Sequence, residues 1–112
     1  MPDAVNRFCD RDWMLHYTQH AKREFIADKL GVINTAPRFI HFSRGHAVEA
    51  TLDENNAVVK LVVRVGYDKF RDLVLVLCGF SFEISSCFVK TVWTNRVSDG
   101  HSTLNRNVYA TK

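Results

Sequence analysis

The stretch Ala57-Val58-Val59-Lys60-Leu61-Val62-Val63-Arg64-Val65 decides the fold. It is apolar and largely β-branched, and side chains of that shape pack best on a pleated surface. Its length suits a strand, and Gly66-Tyr67-Asp68-Lys69 closes it. No apolar run in the chain approaches the roughly 18 residues of a membrane helix. On the amino-terminal side, Ala47-Val48-Glu49-Ala50-Thr51-Leu52 alternates as a half-buried strand, and Asp53-Glu54-Asn55-Asn56 is a polar turn. On the other side a third strand is expected from Asp72 to Cys78. Gly79 breaks it, and Phe80-Ser81-Phe82-Glu83-Ile84 continues it or forms a loop. Cys87-Phe88-Val89-Lys90-Thr91-Val92-Trp93-Thr94 is the last clear strand. Consecutive strands joined by short turns pair antiparallel.

Up to about Gly45 the pattern reads as helical. Thr18 is placed to cap a helix opening at Gln19-His20-Ala21, with Gly31 as its stop. Trp13-Met14-Leu15-His16-Tyr17 fits a helical turn or an extended lead-in. A second helix is expected to open at Asn34 or Thr35, with Pro37 in its first turn and Phe39, Ile40 and Phe42 as its apolar surface. The expected fold is therefore α+β: one domain over residues 1–112, with 1–14 as a lead-in. Its N-terminal helices pack on one face of a roughly four-stranded antiparallel sheet. The other face is expected to be partly open, because Lys60, Arg64 and Lys90 must escape the core.

The 112 residues leave no room for a second core. A chain that is 46% hydrophobic and 24% charged is neither a disordered tail nor a low-complexity linker. The net charge of +3 permits a polyanionic partner without requiring one. Cys9, Cys78 and Cys87 have no paired spacing. They read as reduced thiols, the last two as small core residues. The amino terminus lacks the apolar segment of a signal peptide, so a cytoplasmic location is expected, without membrane association.

Three places could carry chemistry. His20 and Arg23 are three apart on one helical face; a histidine moves protons near neutral pH, and an arginine holds phosphate. A solvated helix face with no task explains the same spacing. Arg64 interrupts a strand, on the face of Lys60 and Val62; it is a structural ion pair or an anion-holding cation. The tail from Asn95 to Leu104 is dense in hydrogen-bonding groups. Asp99-Gly100 marks a turn that sets His101 on a bend, where it is an acid–base candidate or a loop residue bonding its own backbone.

Together, Thr18-Gln19-His20-Ala21-Lys22-Arg23, the lone Arg64, Val89-Lys90-Thr91-Val92-Trp93-Thr94-Asn95, Asp99-Gly100-His101-Ser102-Thr103-Leu104 and Tyr109 resemble the barnase–EndoU–colicin–RelE superfamily. The closest likeness is to its small bacterial and phage members, over nearly the whole chain from about Leu15. The second helix and the Phe80–Ser86 segment have no counterpart in that pattern. The resemblance implies a metal-independent, toxin-like endoribonuclease without a cofactor, acting on RNA such as tRNA or mRNA and not on DNA. An antitoxin or a host protein is the implied partner.

The implied catalytic set is His20, Arg23, Arg64, His101, Thr103 and Tyr109. RNA supplies its own nucleophile, the 2′-hydroxyl, and the products would be a 2′,3′-cyclic phosphate and a 5′-hydroxyl. His20 and His101 would form the acid–base pair in either order, with Arg23 and Arg64 on the phosphate and Thr103 and Tyr109 positioning it. Lys22, Thr91, Trp93, Asn95 and Arg96 would bind RNA, with Trp93 or Tyr67 stacking a base.

Three other readings are open. One is a non-catalytic protein on the same scaffold that binds or inhibits a host protein. Another is a phosphoesterase using His41-Phe42-Ser43 and His101-Ser102-Thr103. The third is a zinc site on His16 and His20, four apart on one helix.

Overall fold

The computed structural model describes residues 3–9, 11–27, 37–66 and 69–96. Strand β1 (Asp12–Tyr17) leads into helix α1 (Gln19–Ala27). The strands β2 (Phe39–His41), β3 (Ala47–Leu52), β4 (Val58–Gly66), β5 (Arg71–Ser81) and β6 (Ser86–Arg96) follow. Short 3-10 turns occupy Asp3–Phe8 and Arg44–His46. All six strands join one sheet in the order β2-β1-β6-β5-β4-β3. Every pairing is antiparallel except β1 with β6, which is parallel.

This corrects the expected fold. The molecule is mostly β, a six-stranded mixed and curled sheet, and not a pair of N-terminal helices on a four-stranded antiparallel sheet. Two segments read as helical are strands. Trp13, Leu15 and Tyr17 alternate inward on β1, and Phe39-Ile40-His41 pairs with β1 instead of opening a second helix. The residues expected to start that helix, Asn34 and Thr35, and the stop at Gly31 lie outside the described residues.

Chain length explains the curl. In a flat six-stranded sheet, β2 and β3 would stand five spacings apart, about 24 Å. Only residues 42–46 join them. Six Cα steps reach at most about 21 Å, and the 3-10 turn at Arg44–His46 shortens that further, at about 2 Å per residue. The sheet must bend until its edge strands approach. Its inner face then closes on one core, in which Ile40 and Phe42 meet Ala47, Ala50, Leu61, Val63, Leu75, Leu77 and Val89.

Bulges keep this core continuous. Val76 pairs with Thr91 and Leu77 with Val89, so Lys90 is an extra residue in β6. The insertion lets Val89 and Val92 both point inward, which strict alternation forbids. Strand β3 does the same at Val48, which packs with Val62 and Val74 in a smaller cluster on the outer face. The β3–β4 turn is tied by Asp53, whose Oδ1 accepts from the amides of Asn55 (2.8 Å) and Ala57 (2.9 Å). The N-terminal turn closes one end of the core: Phe8 stacks on Trp13, Phe80 and Phe82 meet both rings edge-on or tilted, and Trp13 Nε1 donates to the Phe8 carbonyl at 2.8 Å.

Candidate functional site: the open half of β6 and the outer face beside it

Strand β1 ends at Tyr17, opposite Val89. Beyond that point, among the described residues, the edge of β6 has no strand neighbour on that side, and α1 lies along it. Thr18 makes the corner. Its amide donates to the Val89 carbonyl (3.1 Å) and its hydroxyl to the Lys90 carbonyl (3.4 Å). The same hydroxyl accepts from the Ala21 amide at 3.2 Å, the cap expected from the sequence. Ala21 is fully buried against the core, so the helix shows its other side to solvent: His20, Lys22 and Arg23 are all exposed. Glu24 faces the sheet. Its Oε1 accepts from the Val92 amide at 3.4 Å and stands 3.0 Å from His20 Nε2. The sequence reading passed over Glu24; its signal is the four-residue spacing from His20 on a capped helix.

On the outer face, cross-strand pairing sets Trp93 beside Val74 and Val74 beside Arg64. Thr91 stands in the neighbouring row, next to Val76 and Val62. Arg64 occupies the face expected from alternation, with Lys60 and Val62, and it is ion-paired: its Nε donates to Asp72 Oδ2 at 2.6 Å. Trp93 is half-buried against the Val48–Val62–Val74 cluster, so one side of its ring is committed to packing. Glu49, also missed, is the one buried charged residue among those described, with its Oε1 3.7 Å from Lys60 Nζ.

The structure therefore sets His20 and Glu24 on the side of α1 next to β6, leaves Lys22 and Arg23 exposed elsewhere on the helix, and places Thr91, Trp93 and Arg64 on the outer face of the sheet. It does not place Arg64 against the helix. The β4 lane is three spacings from the α1 lane, about 14 Å. Asn95 and Arg96 end β6, their backbones paired with Asp72 and Arg71. His101, Thr103, Tyr109 and Tyr67 lie outside the described residues.

Two of the alternative sites change. His16 is on β1 while His20 is on α1, so the two do not share a helix. Among the described residues no group of three or more His, Cys, Asp or Glu could hold a metal ion. His41 Nδ1 is 2.9 Å from Asp12 Oδ1, and Ser43 turns instead to His46, whose Nδ1 accepts from the Ser43 amide at 3.2 Å. Among the described residues no helix is long and apolar enough to cross a membrane.

No family model, curated protein or solved structure matches the chain.

Proposed function

We propose that this chain is an endoribonuclease that cleaves RNA by attack of the 2′-hydroxyl on its own phosphodiester, leaving a 2′,3′-cyclic phosphate. One observation carries the reading. An exposed histidine, His20, stands on the side of α1 next to β6, the exposed cations Lys22 and Arg23 are carried on the same helix, and Thr91 and Trp93 stand on the outer face of that half of β6. A phosphate backbone needs cations, a ribose hydroxyl needs a proton acceptor, and an unpaired base needs a ring to stack on. The motif order that resembles the barnase–EndoU–colicin–RelE superfamily supports the same chemistry.

The division of labour follows from the side chains. His20 is one half of the acid–base pair, and His101 is the other. Arg23 neutralises charge on the phosphorane, and electrostatic help of this kind is commonly worth about 3–4 kcal/mol. Arg64, about 14 Å from the helix lane, holds another phosphate of the bound strand, which competes with Asp72 for its guanidinium. The test is incubation of purified chain with total RNA in EDTA, beside His20→Ala, His101→Ala and Arg64→Ala. Cleavage to cyclic phosphate ends, reduced by roughly 10²–10⁴ in either histidine variant, is expected. Intact RNA, or variants that cut as well as wild type, overturns the reading.

A second reading, a non-catalytic protein that binds a host protein, is favoured by the opposite end of the outer face. There Phe39 and Phe88 are 61% and 49% exposed, with Met14 and His16 between them in the strand order. Exposed rings grouped on one surface mark an interaction site. A stable complex that Phe39→Ser and Phe88→Ser abolish, with no nuclease activity, is its signature.

A further inference from the structure

Glu24 bonds in two directions, and together they define the state of His20. The Val92 amide belongs to the stretch of β6 beyond the end of β1, which has no ladder partner on that side among the described residues. A main-chain N–H on such an edge needs an acceptor, and the Glu24 carboxylate supplies it. That bond tethers the carboxylate to the sheet: its side chain is 27% exposed, against 69% for His20. A carboxylate only accepts hydrogen bonds, so a neutral His20 must keep its proton on Nε2, which faces Glu24 at 3.0 Å. The lone pair is then on Nδ1.

We infer that Glu24, anchored by the Val92 amide, is the positioning residue for His20, and that Nδ1 is the atom through which His20 exchanges protons with RNA. This rests on the RNA-cleaving reading above. As base, Nδ1 takes the 2′-hydroxyl proton while that oxygen bonds to phosphorus and the bond from phosphorus to the 5′-oxygen breaks. The departing oxygen takes its proton from water or the second acid–base group of that reading. In the reverse assignment, a protonated Nδ1 gives its proton to the 5′-oxygen, and water or that second group accepts the proton of the 2′-hydroxyl. Either way Glu24 does not touch RNA. It holds the ring and its tautomer, as outer carboxylates do for other working histidines.

Two measurements test this. Long-range proton–nitrogen correlation spectra of ¹⁵N-labelled chain report the tautomer of His20, and amide exchange reports the tether. In wild type the neutral ring is expected as the Nε2–H form with no detectable Nδ1–H. In Glu24→Ala, Nδ1–H becomes detectable and the Val92 amide exchanges faster. Glu24→Gln, whose amide oxygen can still accept from Nε2–H, retains the tautomer. In RNA cleavage, Glu24→Ala lowers kcat by about 10–100-fold with KM unchanged, and Glu24→Gln restores much of it. Detectable Nδ1–H in wild type, or a Val92 amide indifferent to Glu24→Ala, overturns the positioning role even if RNA is cut. Equal cleavage by wild type and Glu24→Ala overturns it as well. A wild-type chain that leaves RNA intact overturns the RNA-cleaving reading, and with it the role given to Nδ1, whatever the spectra show.

Discussion

Arg64 and Asp72 face each other diagonally across β4 and β5, Arg64 paired with Val74 and Asp72 with Gly66, and a 2.6 Å bond joins Nε to Oδ2. Their side chains are only 12% and 21% exposed, so solvent screens the pair poorly. Removing the carboxylate leaves a largely buried guanidinium short of one acceptor, and Asp72→Ala is expected to cost about 1–3 kcal/mol in denaturant unfolding. The same change opens Arg64 Nε to an anion. If Arg64 holds phosphate, Asp72→Ala binds RNA more tightly than wild type although it is less stable, and Arg64→Ala binds more weakly. An RNA affinity indifferent to Asp72→Ala removes Arg64 from the site.

Gly79 and Phe88 form a second dependent pair. Gly79 has φ +59°, and a Cβ there would meet Phe88 Cδ2 at 2.8 Å. Gly79→Ala therefore suffers both left-handed strain, about 1–2 kcal/mol, and a clash with a ring that His16 flanks at 5.7 Å between centroids. Phe88→Ala removes the clash and leaves the strain. A double-mutant cycle is expected to show the two changes costing less together than their sum. Additive costs mean that the ring moves aside freely.

The longer strands were legible in the sequence as β-rich runs, although bulges at Val48 and Lys90 interrupt the alternation of β3 and β6. Strand β5 runs on to Ser81 through Gly79, where a break was expected, because the glycine takes φ 59° inside the strand. The face of Arg64 followed from the period alone. Strand β2 was not legible, because three residues carry no period and Pro37 suits a helix start as well as an extended entry. Strand β1 did carry the signal, with Trp13 and Leu15 inward. Its parallel pairing with β6 joins residues some seventy positions apart, which no local pattern encodes. The same distance hid the contacts of the candidate site. His20, Arg23 and Arg64 could be chosen as residue types. Asp72 as partner to Arg64, and the Val92 amide as anchor for Glu24, exist only once strand register and the end of β1 are known.

Cys87 gives the fold a dependence on alkaline pH. It is fully buried; desolvation first, and the nearby Cys78 second, push its thiol from the ordinary 9.0 up to about 12. Between those values the unfolded chain gives up a proton that the folded chain retains. Stability is thus fully present below about pH 9 and declines as pH rises toward 12. Tyr17 adds in the same direction, its hydroxyl raised by burial first and by Cys87 second while it donates to the Pro37 carbonyl at 2.6 Å. Urea midpoints measured from pH 8 to 11 should fall for wild type and fall less steeply for Cys87→Ala. A thiol reagent should modify the partly exposed Cys9 and Cys78 before Cys87.

Trp13 joins the N-terminal turn to the core by two separable means. Its ring is fully buried among Phe8, Phe80 and Phe82, and its Nε1–H meets the Phe8 carbonyl at 2.8 Å. Trp13→Ala loses both and should cost about 3–5 kcal/mol. Trp13→Phe keeps most of the apolar contact but leaves the Phe8 carbonyl without its donor, for about 1–3 kcal/mol. Arg7 and Arg11 lie over the Phe82 ring at 4.2 and 5.1 Å, and their peptide bonds sit in and just after the docked turn, so a protease must wait for the turn to open. Limited trypsin digestion should therefore cut Trp13→Phe after Arg7 and Arg11 under conditions where wild type resists, while denaturant unfolding still shows one cooperative transition. Equal resistance in the two proteins would mean that the aromatic stack alone, without the indole hydrogen bond, holds the turn.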